Sequence, residues 1–289
     1  KPLDQWRKYK GDFTKKGEKT MVIIGLGEAG KNICSKMPKN GNIRTIVVDG
    51  GKHLPKCSTH EEYEASVPKM ANKLKLGKQQ DIWLITAGAG KVSGACLAIL
   101  EQLKDRIINV IHISSDPILL SKTQVKQERV VFNVLQQYAR SGMIDGLWLF
   151  SNPQIEEFVG EGSIENYYDN IDNAIVNFIS NYGYFSNTEP FMGSHHEPKE
   201  ISRIRTVSLG NIENNQENLY FLLDNITESC YYYSVSEEDK KNNKNFLTNV
   251  KKHVIIDKEK NIESSFGLWE NSSNFSYFYS VKYTHYIQE

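Results

Sequence analysis

Met21-Val22-Ile23-Ile24 runs directly into Gly25-Leu26-Gly27-Glu28-Ala29-Gly30-Lys31-Asn32. The first four residues form a short apolar run of strand type, and Lys31–Met37 behind the loop is compatible with a helix. Glycines at a strand-to-helix junction let backbone N–H groups approach a phosphate, and the helix N-terminus adds positive potential. Gly25, Gly27, Glu28, Ala29, Gly30 and Asn32 are therefore candidate nucleotide-binding residues. Asp49 follows Gly30 by nineteen positions, where it serves either a ribose or cation, or the turn before Gly50-Gly51.

Outward from this loop the chain alternates strand and helix. Asn42–Val48, Asp81–Thr86, Ile107–Ile113 and Gly146–Phe150 read as further buried strands. Gly94–Leu103 and Gln127–Ser141 read as amphipathic helices, and a long helical pattern runs from Ile164 to about Tyr182. That rhythm predicts an α/β fold with a doubly wound parallel sheet. Ligands of such sheets sit beyond the carboxyl ends of the strands, where the Gly, Asn and Asp residues of this chain collect. Residues past 184 change character. Phe275, Tyr277, Tyr279, Val281 and Tyr283 alternate with mostly polar residues, which predicts a half-buried strand. The expected organisation is a basic leader (1–19), a nucleotide-binding domain (20–163), a central helix (164–184) and a smaller α+β domain (185–289).

Composition narrows the class. Lys+Arg and Asp+Glu each total 35 in 289 residues, so global charge gives no reason to expect nucleic acid or an acidic membrane as partner. Only the first twenty residues are basic, with seven Lys/Arg against three Asp/Glu, which suits a solvated arm. The four cysteines (34, 57, 96 and 230) include no C-x-x-C pair and suit a reducing compartment. No apolar run approaches the ~20 residues that span a bilayer. The start, Lys1-Pro2-Leu3-Asp4, has neither an initiator Met nor an apolar signal region, which suggests a trimmed or processed product. A cytoplasmic protein is expected.

The loop at 25–30 alone would suit a dinucleotide, with Asp49 on a ribose, and Thr86-Ala87-Gly88 also suits a lactate/malate-type dehydrogenase. Three features oppose that NAD-dependent oxidoreductase. Ala87-Gly88-Ala89-Gly90-Lys91-Val92-Ser93-Gly94 is a second glycine- and hydroxyl-bearing loop before a helix, and two such loops on adjacent strands suit a nucleoside triphosphate. The strands ending at Asp116 and Asn152, with a roughly twenty-residue helix after them, do not follow a dehydrogenase order. No Arg/Asp pair precedes a His at substrate-site spacing. Gly88, Ala89, Gly90, Lys91, Ser93 and Gly94 join the candidates, Lys91 being either a phosphate contact or a solvated loop lysine.

With these loops the chain resembles the tubulin/FtsZ superfamily of self-assembling GTPases over residues 20–205. Residues 25–32 are similar to that family's first phosphate loop, and Gly90, Ser93 and Gly94 match its G-G-G-T-G-[ST]-G signature. The resemblance implies GTP or GDP with Mg²⁺ as ligand. It implies a base contact from Asn152, and a carboxylate on the guanine edge from Asp172 in the central helix. It implies head-to-tail assembly into a homopolymer, with Glu197 and Glu200 completing the active site of the next subunit. Those two carboxylates at i, i+3 would share a face at a helix N-terminus and could polarise a water. No metal site is expected at His195-His196-Glu197, whose partners are too few.

The chain departs from the family at Ser58-Thr59-His60-Glu61-Glu62-Tyr63-Glu64, where a loop rich in Gly, Ala and Pro near the γ-phosphate belongs. Glutamates there would repel a triphosphate unless a cation intervenes or the segment points away. That divergence resembles the phage- and plasmid-encoded, TubZ-like branch and implies the cytoplasm of a bacterial or infected host cell. It also keeps a non-hydrolysing structural or viral assembly module open as an alternative.

Overall fold

The computed structural model describes residues 21–39, 43–77, 81–160, 166–213 and 216–289. The expected basic leader lies outside them. Five strands, β1 (Met21–Leu26), β2 (Ile43–Val48), β3 (Asp81–Ala87), β4 (Ile108–Ser114) and β5 (Gly146–Ser151), pair in parallel in the order β2-β1-β3-β4-β5. Between them lie α1 (Gly27–Lys36), α2 (His60–Ala65), α3 (Met70–Lys73), α4 (Ala95–Leu103) and α5 (Lys122–Ser141). After β5 come α6 (Asn152–Val159) and the central helix α7 (Tyr167–Asn187).

The remaining strands are β6 (Met192–Ser194), β7 (Ile204–Asn211), β8 (Gln216–Leu219), β9 (Glu228–Ser236), β10 (Glu263–Asn271) and β11 (Tyr277–Thr284), with helices α8 (Glu237–Asn242) and α9 (Phe246–Glu259). They do not form a separate sheet. β7 pairs in parallel with β5 through Leu147 and Trp148, and the sheet continues β7-β11-β9-β10-β6, with β8 on β7.

Period-two alternation sends neighbouring side chains of each strand into opposite layers. Ile23, Trp83, Ile85, Trp148 and Phe150 meet Ile175, Phe178 and Ile179 of α7 on one face. Val22, Ile24, Leu84, Val110 and Leu149 meet Ile99 and Leu100 of α4 and Leu135 of α5 on the other. A sheet covered on both faces requires the near-continuous apolar strands seen in the sequence. All four cysteines are free thiols, and no helix among the described residues is long and apolar enough to cross a membrane.

The tail strand corrects the expectation of half-burial: every residue of β11 is buried. It lies between β7 and β9. Tyr277, Tyr279, Val281 and Tyr283 pack in the α7 layer, while Phe278 joins Phe246 and Val250 of α9. Its polar residues are hidden by pairing, not by exposure to water. Ser280 Oγ lies 2.8 Å from Ser208 Oγ, and Lys282 Nζ lies 3.1 Å from Glu217 and donates to the Tyr231 hydroxyl at 2.8 Å. The Tyr231 hydroxyl in turn donates to Asp257 of α9 at 2.8 Å. A buried cation is tolerated here because the Glu217 carboxylate and the Tyr231 phenol satisfy it.

Candidate functional site

The first loop is tighter than its motif suggests. Gly25, the last residue but one of β1, packs against Gly30 of α1: a Cβ on either would overlap the backbone of the other. Gly27 adopts φ +70° and opens α1 at once, so Asn32 sits on the helix, not in the loop. The helix N-cap, Leu26, offers no side-chain cap. The first N–H groups of α1 therefore remain available to an anion.

The second loop arrives from β3. Gly90 adopts ordinary backbone angles and an added Cβ there would meet nothing nearer than 3.5 Å, so its smallness leaves room on the cleft side. Ser93 Oγ donates to the Gly88 carbonyl at 3.0 Å and also to that of Gly90, which turns the hydroxyl into its own loop. A 3₁₀ turn, Lys91–Gly94, leads to α4, and neither start carries a side-chain cap.

These segments share one cleft of about 410 Å³, within the usual range for small-molecule sites. Gly27, Glu28 and Ala29 line it from the first loop, and Ala89, Gly90, Lys91 and Ser93 from the second. Asp49 lines it too, while its carboxylate accepts from the Gly50 N–H at 2.7 Å, so it serves the turn and the cleft together. Glu28 pairs with Lys31 at 3.3 Å. Lys91 is exposed and has no ion partner among the described residues. A third loop, after β4, contributes Ser115 and Leu120, and the first turn of α5 contributes Gln124. Sequence reasoning missed these three residues, although Ser114-Ser115-Asp116-Pro117 marks a strand end and Ser121-x-x-Gln124 is a capping-box signature.

Other candidates lie elsewhere. Asn152 begins α6; it is buried, and its Oδ1 has no hydrogen-bond partner among the described residues. Asp172 is buried on α7 and held by Lys36 of α1 at 3.2 Å, with Asp169 2.7 Å from the same ammonium. Burial pushes the Asp172 carboxyl up, with Lys36 pulling the other way. Neither residue lines the cleft.

Glu197 and Glu200 lie in an irregular segment; no helix stands between α7 and β7. The shared helical face expected for them is absent, because Glu200 pairs with Arg203 at 3.1 Å and Glu197 lines a separate cavity of 130 Å³ beside Lys199 and Glu228.

The acidic departure is an ordinary helix start. Thr59 caps α2, its side chain accepting from Glu62 N at 3.2 Å, while Glu62 accepts from Ser58 N at 2.7 Å. Carboxylates in a first turn suit the helix dipole. None of Glu61, Glu62 and Glu64 lines the cleft, and α2 meets the second loop through His60, whose carbonyl faces Gly94.

No protein-family model matches the sequence, and no curated protein matches it significantly. Solved structures do. An FtsZ dimer from M. jannaschii superposes with a TM-score of 0.68 at 13% identity, covering 98% of this chain and 91% of its own. A GTPγS-form protofilament of TubZ from Bacillus thuringiensis serovar israelensis gives 0.71 at 11%, with 91% and 86% covered. CetZ2 from Haloferax volcanii, as a GTPγS-bound protofilament, gives 0.63 at 13%, with 91% and 92% covered. The chain has a mixed α/β architecture built on a large, mostly parallel sheet. More particularly, its fold is the one shared by the FtsZ, TubZ and CetZ structures it matches.

Proposed function

We propose that the chain binds GTP or GDP in the cleft at the carboxyl ends of β1, β3 and β4 and assembles head to tail with copies of itself in the cytoplasm. The observation that carries this reading is the convergence of the uncapped start of α1 with the second and third loops on one cleft. Backbone N–H groups of Gly27–Gly30 and Ala89–Gly94 would hold the phosphates, with Lys91 free to add charge. Mg²⁺, when bound with the nucleotide, offsets phosphate charge, and Asp49 and Glu28 are the cleft carboxylates that suit such a cation. The protofilament and dimer forms of the matching structures support self-association.

In this reading Glu197 and Glu200 of one copy reach the nucleotide of the next and orient the attacking water, so that catalysis is chiefly positioning. Asn152 and Asp172 would give the base its contacts once Lys36 releases the latter. The test is GTP turnover against protein concentration. Turnover per subunit should rise steeply above a threshold concentration; a constant specific rate would contradict it. The pairing of Glu200 with Arg203 favours a second reading, a module that binds nucleotide and assembles without hydrolysis. GTPγS binding and filaments in electron micrographs, with no phosphate release, would decide for it.

A further inference from the structure

Behind the cleft wall Gly88 has no room for a side chain: an added Cβ would lie 2.8 Å from His112 Cε1 and 3.0 Å from Glu128 Cγ. His112 belongs to β4 and Glu128 to α5, and Phe132, one turn further along α5, stacks on the imidazole at 5.4 Å. Glu128 Oε1 accepts the Ser115 backbone N–H at 3.0 Å. The Ser114 hydroxyl also bonds to it. One carboxyl thus fastens the third loop to α5 while its own side chain backs the second. Both loops face the cleft, through Ala87, Ala89 and Ser115.

The titratable and charged groups around Glu128 do little to set its charge. His112 is wholly buried, its ring nitrogens lack partners among the described residues, and burial pushes it down to about 4, so it is neutral. Asp116 follows Ser115 on the third loop, Arg129 is next on α5, and Glu61 of α2 reaches only as far as Gln127, at 3.4 Å. None forms an ion pair with Glu128 among the described residues. Burial pushes the Glu128 carboxyl up to about 7, against the bonds from Ser115 and Ser114 that favour its charged form.

We propose that Glu128 is a positioning residue that couples filling of the cleft by a polyphosphate to uptake of a proton. The inference rests on the nucleotide reading of that cleft. A polyanion arriving on the far side of Ser115 and Ala89 disfavours a second negative charge behind them. The carboxylate therefore takes a proton from solvent at Oε2 and keeps Oε1 as acceptor for Ser115. The sign follows from linkage. Below about pH 6 the carboxyl is already protonated with or without ligand, and affinity is indifferent to it. As pH rises through 7 the empty protein loses that proton first, so affinity falls, at most about tenfold per pH unit.

The test is calorimetric titration of the full chain with GTPγS from pH 6 to 9, in buffers of different ionisation enthalpy, beside Glu128→Gln. Relative to Glu128→Gln, the wild type should lose roughly three- to tenfold in affinity between pH 6.5 and 8.5. It should take up a fraction of a proton per nucleotide near pH 7.5. Parallel pH profiles in the two proteins, or no proton uptake by the wild type, would overturn the proposal. The proton count needs no variant and stands if Glu128→Gln does not fold. Absence of GTPγS binding at every pH would instead overturn the nucleotide reading.

Discussion

Gly30 and Gly90 belong to the two glycine loops, yet they answer to different constraints. Gly30 is a packing residue: a Cβ there would strike Gly25 and crowd the Ile85 carbonyl. Gly30→Ala should cost about 1–3 kcal/mol, the usual price of overpacking, read as a lower urea midpoint at unchanged slope. Gly90 is a site residue. It has room for a methyl group and backbone angles that suit any residue, so Gly90→Ala should leave the urea midpoint where it is. The added methyl should weaken GTPγS binding about tenfold or more, because it stands on the cleft surface. Equal affinities in Gly90→Ala and wild type would remove Gly90 from the site. A motif alone cannot separate the two glycines, since both are written with the same letter and only three-dimensional neighbours distinguish their tasks.

At the scale of elements, α5 shows what was legible and what was not. Its interior periodicity, Val131, Leu135 and their neighbours, is plain in the sequence, and both are buried. Its start is set instead by a capping box in which Ser121 accepts from Gln124 N at 3.3 Å and Gln124 accepts from Ser121 N at 3.0 Å. Ser121→Ala should cost about 1 kcal/mol and loosen the third loop, seen as faster amide exchange at residues 115–124. Unchanged exchange there would mean the loop does not depend on this cap. The strands and the first two loops could be read because apolar runs and glycines are local signals. The third loop, the start of α6 at Asn152-Pro153 and the pairing of Asp172 with Lys36 could not, because each depends on what another element brings nearby. The acid-rich stretch at 58–64 takes its meaning from its place in the fold: Glu62 and Thr59 cap α2, and none of its three glutamates lines the cleft.

At the scale of the molecule, the second half extends the first. β5 hands the sheet to β7 at Leu147 and Trp148, Arg205 lies over Trp148 at 4.9 Å and over Tyr283 at 5.2 Å, and α7 packs across strands of both halves. Heat or denaturant should therefore melt the chain in one cooperative transition; two resolved calorimetric peaks would show that the halves are independent. The layer beneath α7 has an optical side as well. Trp83 and Trp148 stand 5.2 Å apart, Tyr182 lies within 5.8 Å of both, and Phe185 bridges on to Tyr232 and Trp269. Indoles that close couple their electronic transitions, and tyrosines so placed pass excitation to them. The seating of the central helix is thus written into the near-ultraviolet spectrum of the unlabelled protein, as a signature that any shift of α7 would redraw.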